Sequence, residues 1–180
     1  MKVGRRTQAY FVGLLIGIAI VSILIDARRP RPEMEAKAPR WERSEATLDS
    51  LPPDVVDRTG ATGYVTAARL VEGGAMEAGT VGYFFADAEG ARYWWLRKPS
   101  GVLLCDASKL EVVSRPGIEP DLMRAGFEHQ GHAVLSPPSM APRYRVGVDA
   151  HSAMEWVAAY ENLRSKAVYI EAVHGVPLEE

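Results

Sequence analysis

Residues 9–25, AYFVGLLIGIAIVSILI, carry no charge and almost no polar side chain, and no other feature limits the possible folds as strongly. In a helix rising about 1.5 Å per residue the run reaches about 26 Å, just enough to cross the hydrocarbon of a bilayer. A cleaved signal peptide is the competing reading, because Lys2, Arg5 and Arg6 form a basic start. Against it, the nearest small-x-small sequence, Ala36-Lys37-Ala38, begins eleven residues past the apolar run. The segment is therefore expected to be an uncleaved single-pass anchor, preceded by a short basic tail, 1–8. Lys2, Arg5 and Arg6 lie on one side and Arg28, Arg29, Arg31, Lys37 and Arg40 on the other, a count that leans towards a cytoplasmic soluble part. Gly13 and Gly17 form a GxxxG pair through which two such helices could approach closely, giving a homodimer.

Behind the anchor, residues 26–61 hold Pro30, Pro32, Pro39, Pro52 and Pro53 among many charges and few large apolar groups, and read as a linker. A net charge of −2 over 180 residues leaves no cationic excess to neutralise a phosphate backbone, so nucleic acid is not an expected partner. The single cysteine, Cys105, rules out an intrachain disulfide and a multi-cysteine zinc site.

Residues 62–108 have β character. TGYVTAARLVEGG reads as a strand ending at Gly73-Gly74, and runs at 83–86 and 92–97 flank DAEG, which suits a short hairpin loop. Tyr93, Trp94 and Trp95 are consecutive, so on a strand they point to both faces, and at least one ring is expected off the main core. Trp94 and Trp95 are thus candidate partner contacts. SGVLLCDASK offers a further strand in which Asp106 should raise, not lower, the thiol pKa of its neighbour Cys105, so that cysteine reads as a packed hydrophobe.

From Lys109 onward the order of elements is more specific. A strand at 110–114 meets Arg115-Pro116-Gly117, Pro120 and Asp121 mark a helix start, and Gly131 marks its end. A strand at 132–135, the loop SPPSMAP and an alternating strand at 144–149 follow. Ser152-x-x-Glu155 caps a helix whose stripe is Ala153, Trp156, Val157, Tyr160, Leu163 and Ala167, and a last strand covers 168–173. This β-α-β-β-α-β order predicts an α+β fold, a ferredoxin-like module at 109–180 with helices on one face of an antiparallel sheet.

In order and spacing, LEVVSRPGIEPDLM, GHAV, YRVGVD and SAMEWVAAYENLRSKAVYIEAV resemble the subtilisin-family propeptide, the peptidase-inhibitor prodomain. The resemblance implies a domain that binds another protein through the sheet face left open by its helices, acting as an inhibitor or folding assistant. Here the module follows an apolar segment and extra strands, so fold carries over more readily than inhibition.

By strand alternation Glu111, Arg145, Tyr169 and Glu171 fall on the open face and are candidate partner contacts. Catalytic signatures are sparse: His129 and His132 lack the i, i+4 spacing of a helical zinc pair, and neither a G-x-S-x-G elbow nor HExxH occurs. The expected function is a membrane-anchored, non-catalytic protein-interaction domain without cofactor or metal. Two other readings are a small hydrolase using Asp149 and His151, and a structural envelope protein acting through helix dimerisation at Gly13 and Gly17.

Overall fold

A computed structural model describes residues 39–72 and 77–178. The apolar run 9–25 with Gly13 and Gly17, and the Gly73-Gly74 break, lie outside the described residues; among those described, no helix is long and apolar enough to cross a membrane.

The chain is α+β. Strand β1, Arg40–Ser44, and helix α1, Pro53–Thr59, precede β2, Ala61–Glu72, β3, Val81–Asp87, and β4, Arg92–Lys98. Then come β5, Gly101–Ser114, α2, Pro120–His129, β6, Arg143–Gly147, α3, Ala153–Arg164, and β7, Ile170–Pro177. One seven-stranded antiparallel sheet runs β1-β2-β3-β4-β5-β6, with β7 also paired to β5.

β5 is the spine. Its first part pairs with β4, from Lys98↔Gly101 to Tyr93↔Asp106, and its second with β6, from Lys109↔Gly147 to Val113↔Arg143. Cys105, Asp106 and 110–114 also pair with β7, so β7 lies on the opposite edge of β5 from β4 and β6. An isolated bridge, Val134↔Val146, extends the far edge of β6, giving the local order β7-β5-β6-Val134.

Local chemistry explains most element ends. The β3–β4 hairpin closes at DAEG, where one carboxylate oxygen of Asp87 accepts from the amides of Glu89 and Ala91, both at 2.9 Å, and Gly90 takes φ 86°. The Ser152 hydroxyl accepts from the Glu155 amide, while the Glu155 carboxylate reaches one residue further back than a standard capping box, to the His151 amide at 2.8 Å. The first helical amide of α3, Ala153, donates to the Thr66 hydroxyl of β2 at 2.8 Å, tying helix to sheet.

Four departures from the sequence reading stand out. Part of the stretch read as linker is ordered: β1 pairs with β2, and α1 begins on Pro53, which needs no amide partner there, and ends at Gly60 with φ 64°. The two strands expected on either side of Lys109 are one continuous β5, so 62–108 and 109–178 share a sheet. The strand expected at 132–135 shrinks to the Val134 bridge, flanked by two backbone bonds to β6. The last strand starts later than 168, because the Tyr169 and Ile170 amides close a turn onto the Lys166 carbonyl.

Two apolar clusters cover the faces of the sheet. One holds Trp94, Leu110, Val112, Phe127, Tyr144 and Trp156, under α2 and α3. The other holds Val65, Tyr83, Phe85 and Trp95 with Leu51 and Val55, so that α1 covers the reverse face. Along β4, Trp94 enters the first cluster and Trp95 the second, as period-two alternation requires. The Trp94 and Trp156 rings stack with centroids 4.4 Å apart, and Trp156 stacks in turn on Tyr160 at 5.7 Å.

Candidate binding site

On β5, Leu110 and Val112 are fully buried under the helices, and Glu111 between them turns to the other face. Pairing places Arg145 of β6 on one side of Glu111 and His174 of β7 on the other. Arg143, two residues before Arg145 and hence on the same face, donates to the Glu111 carboxylate at 2.9 Å. The result is a polar row, Arg143, Arg145, Glu111 and His174, across three neighbouring strands. It lies opposite the face packed by α2 and α3.

A cavity of about 620 Å³ borders this row and also the aromatic ladder of Trp94, Trp156 and Tyr160, together with Trp41 of β1. Residues 173–178 line it in unbroken succession. A strand inside a sheet shows only alternate residues to a given face, so an unbroken run marks a cavity that follows the strand's edge. Among the described residues β7 is paired on one side only, by β5. The cavity thus runs along its free edge, with apolar rings on one side and the polar row on the other. Among the described residues that line it are three cationic side chains, Lys98, Arg143 and Arg145, and one carboxylate, Glu111.

Cys105 and Tyr160 also line the cavity. Burial, with a smaller push from Asp106, drives the Cys105 thiol up to about 12, so it is not an activated nucleophile. Burial likewise raises the phenol of Tyr160, which stays protonated. Neighbouring Glu161 is raised by burial too, an effect that Arg164 and the indole of Trp41 partly offset.

Of the residues singled out by sequence, Glu111 and Arg145 are brought together as direct cross-strand neighbours. Tyr169 is not on that face: it sits in the turn before β7, half exposed, above a smaller cavity of about 200 Å³ shared with Leu122, Phe127 and Ile170. Its placement follows from Arg115, whose amide bonds the Tyr169 carbonyl at 2.9 Å and holds the turn. Glu171 is exposed beside the register irregularity between Val113 and Ser114, where strict alternation breaks down. Trp94 and Trp95 are 1% and 4% exposed, which corrects their reading as partner contacts: helices cover both faces of β4.

Asp149 and His151 meet, with Oδ1 3.3 Å from Nε2, but on an exposed loop where Arg92 also bonds Asp149 at 3.0 Å. The Arg92 hydrogen bond, followed by the charge of His151, holds the Asp149 carboxyl below its ordinary range. The two border different cavities, and among the described residues no hydroxyl or thiol bonds to His151.

Arg143, His174 and the ladder on α3 were not singled out from sequence as contacts. Arg143 and His174 each lie one residue outside the strand bounds expected there; alternation would have found Arg143 with the bounds corrected, whereas the irregularity at Glu171 moves His174 to the face opposite the one that strict alternation from Ile170 assigns it. No protein-family model, curated protein or solved structure matches the chain.

Proposed function

We propose that this chain is a membrane-anchored, non-catalytic protein-interaction module that receives its partner on the sheet face turned away from α2 and α3. The observation that carries the reading is the polar row of Arg143, Arg145, Glu111 and His174, assembled across three strands on the face opposite α2 and α3. The order β7-β5-β6-Val134, antiparallel throughout and with two helices on one face, supports a ferredoxin-like plan for 109–178. That plan is the one expected of a prodomain-like inhibitor or chaperone, the sharpest form of this reading. The apolar run 9–25 supports the anchor.

Photo-crosslinking from the full-length protein in its membrane tests both halves. A benzophenone side chain replacing exposed His174 is expected to capture a partner, and the same group at exposed Glu128 on α2 is expected to capture none. Adducts from Glu128 alone would overturn the assignment of the face. Full-length protein should resist extraction by alkaline carbonate and lose that resistance when 9–25 are deleted; release of the intact chain would overturn the anchor.

A further inference from the structure

β7 is an eight-residue strand paired on one side only among the described residues. Half of its backbone N–H and C=O groups therefore point away from β5, the arrangement that accepts another strand. Charged residues and prolines are what usually blunt such an edge, and here they stand near its ends, Glu171 near the start and Pro177 at the finish. Between them 172–176 carries no formal charge apart from the titratable His174. The cavity of about 620 Å³ follows this edge and leaves room beside it.

We infer that the free edge of β7 takes up an extended segment of the partner protein as an added strand, one that alternates apolar and acidic side chains. The inference rests on the protein-interaction reading above and specifies its mode. Alternate side chains of an added strand point to opposite faces. On one face they meet the wall of Trp41, Trp156 and Tyr160, which suits aliphatic or aromatic groups. On the other face Arg143 and Arg145, which line the same cavity from β6, supply positive charge that Glu111 neutralises only in part, leaving a cation to attract an acidic side chain. A second copy of this chain is a poor occupant, because edge-to-edge pairing of two β7 strands brings two cationic rows side by side.

The test uses full-length protein in non-ionic detergent and two fluorescein-labelled eight-residue peptides, one alternating valine with glutamate and one valine with lysine. The valine-glutamate peptide is expected to bind saturably and to slow hydrogen exchange across 170–177. The lysine peptide should bind about tenfold more weakly or worse, and Arg145→Glu should weaken the glutamate peptide by a similar factor while leaving the thermal transition in place. Equal binding of the two peptides, or unchanged exchange at 170–177, overturns strand addition. If His174 still crosslinks a partner in that event, the face assignment stands and only the edge mode fails; loss of both overturns the two together.

Discussion

A Cβ built on Gly82 would lie 2.0 Å from Cζ2 and 2.1 Å from Cη2 of Trp94, distances no real side chain tolerates. Trp94 cannot retreat, since its ring is 1% exposed and already stacked on Trp156. Gly82 is thus required by close approach and not by backbone conformation. Gly82→Ala should lower stability by about 1–3 kcal/mol, the usual range for overpacking, seen as a lower denaturation midpoint at unchanged slope. A smaller cost of Gly82→Ala in a Trp94→Leu background than in the parent would tie the loss to that contact; an unshifted midpoint in the single variant would show that the ring relaxes. A second close contact involves Cys105, whose Sγ lies 2.6 Å from a Cβ built on Gly175. With the thiol fully buried and pushed up to about 12, native protein at pH 8 should resist iodoacetamide, and denatured protein should be alkylated at once. Rapid labelling of the native form would contradict the packing drawn here.

At the level of elements, the irregularity of β5 is held by one carboxylate. Asp106 accepts from the Ser108 amide at 2.8 Å and the Ser108 hydroxyl at 2.5 Å, and pairs with Lys109 at 2.8 Å. These bonds span the point where register with β7 jumps from Asp106 to Leu110. Burial alone would push the Asp106 carboxyl up, but Lys109 and Ser108 outweigh it and hold it below its ordinary 3.8. A depressed folded-state pKa contributes stability that is present above the unfolded value and lost as pH falls through the folded one. Asp106→Asn should therefore lower stability at pH 7 by about 1 kcal/mol, after screening of a partly solvated site. It should also flatten the fall in stability below pH 3.8; parallel pH profiles for variant and parent would contradict the assignment. Signals carried by nearby residues were legible in the sequence: DAEG closing a hairpin, Ser152 and Glu155 opening a helix, Glu111 and Arg145 sharing a face. What escaped depends on distant partners. Arg40–Ser44 is charged enough to pass for linker and becomes a strand only because β2 offers it an edge. Val168 and Tyr169 have strand-like side chains, yet the Arg115 amide and guanidinium, bonded to the Tyr169 and Ala167 carbonyls, hold them in a turn. The free edge of β7 is a property of the sheet order, and no local window of sequence contains it.

For the described chain as a whole, the question is whether its two apolar clusters behave as two bodies or one. A boundary between Ser108 and Lys109 would let them unfold apart. β5 instead runs unbroken across that point, and β4 sends Trp94 into one cluster and Trp95 into the other. Opening either face removes support from a strand that the other face needs. α3 adds a second tie, since its first amide is capped by Thr66 while its rings pack on Trp94. The described residues should therefore unfold in a single transition. The four tryptophans make the test direct, because Trp95 lies in one cluster while Trp94 and Trp156, with Trp41 packed beside them, report on the other. In urea titrations of the full-length protein in detergent, near-ultraviolet fluorescence of the parent and of a Trp95→Phe variant should each share one midpoint with the far-ultraviolet signal of the same protein. Val55→Ala, which hollows the α1 cluster, should lower that shared midpoint without splitting it, by the roughly 1–3 kcal/mol of a buried aliphatic truncation. A first phase that carries the Trp95 signal alone, followed by a second for the rest, would divide the molecule along the reverse face of the sheet and deny β5 its role as a common spine.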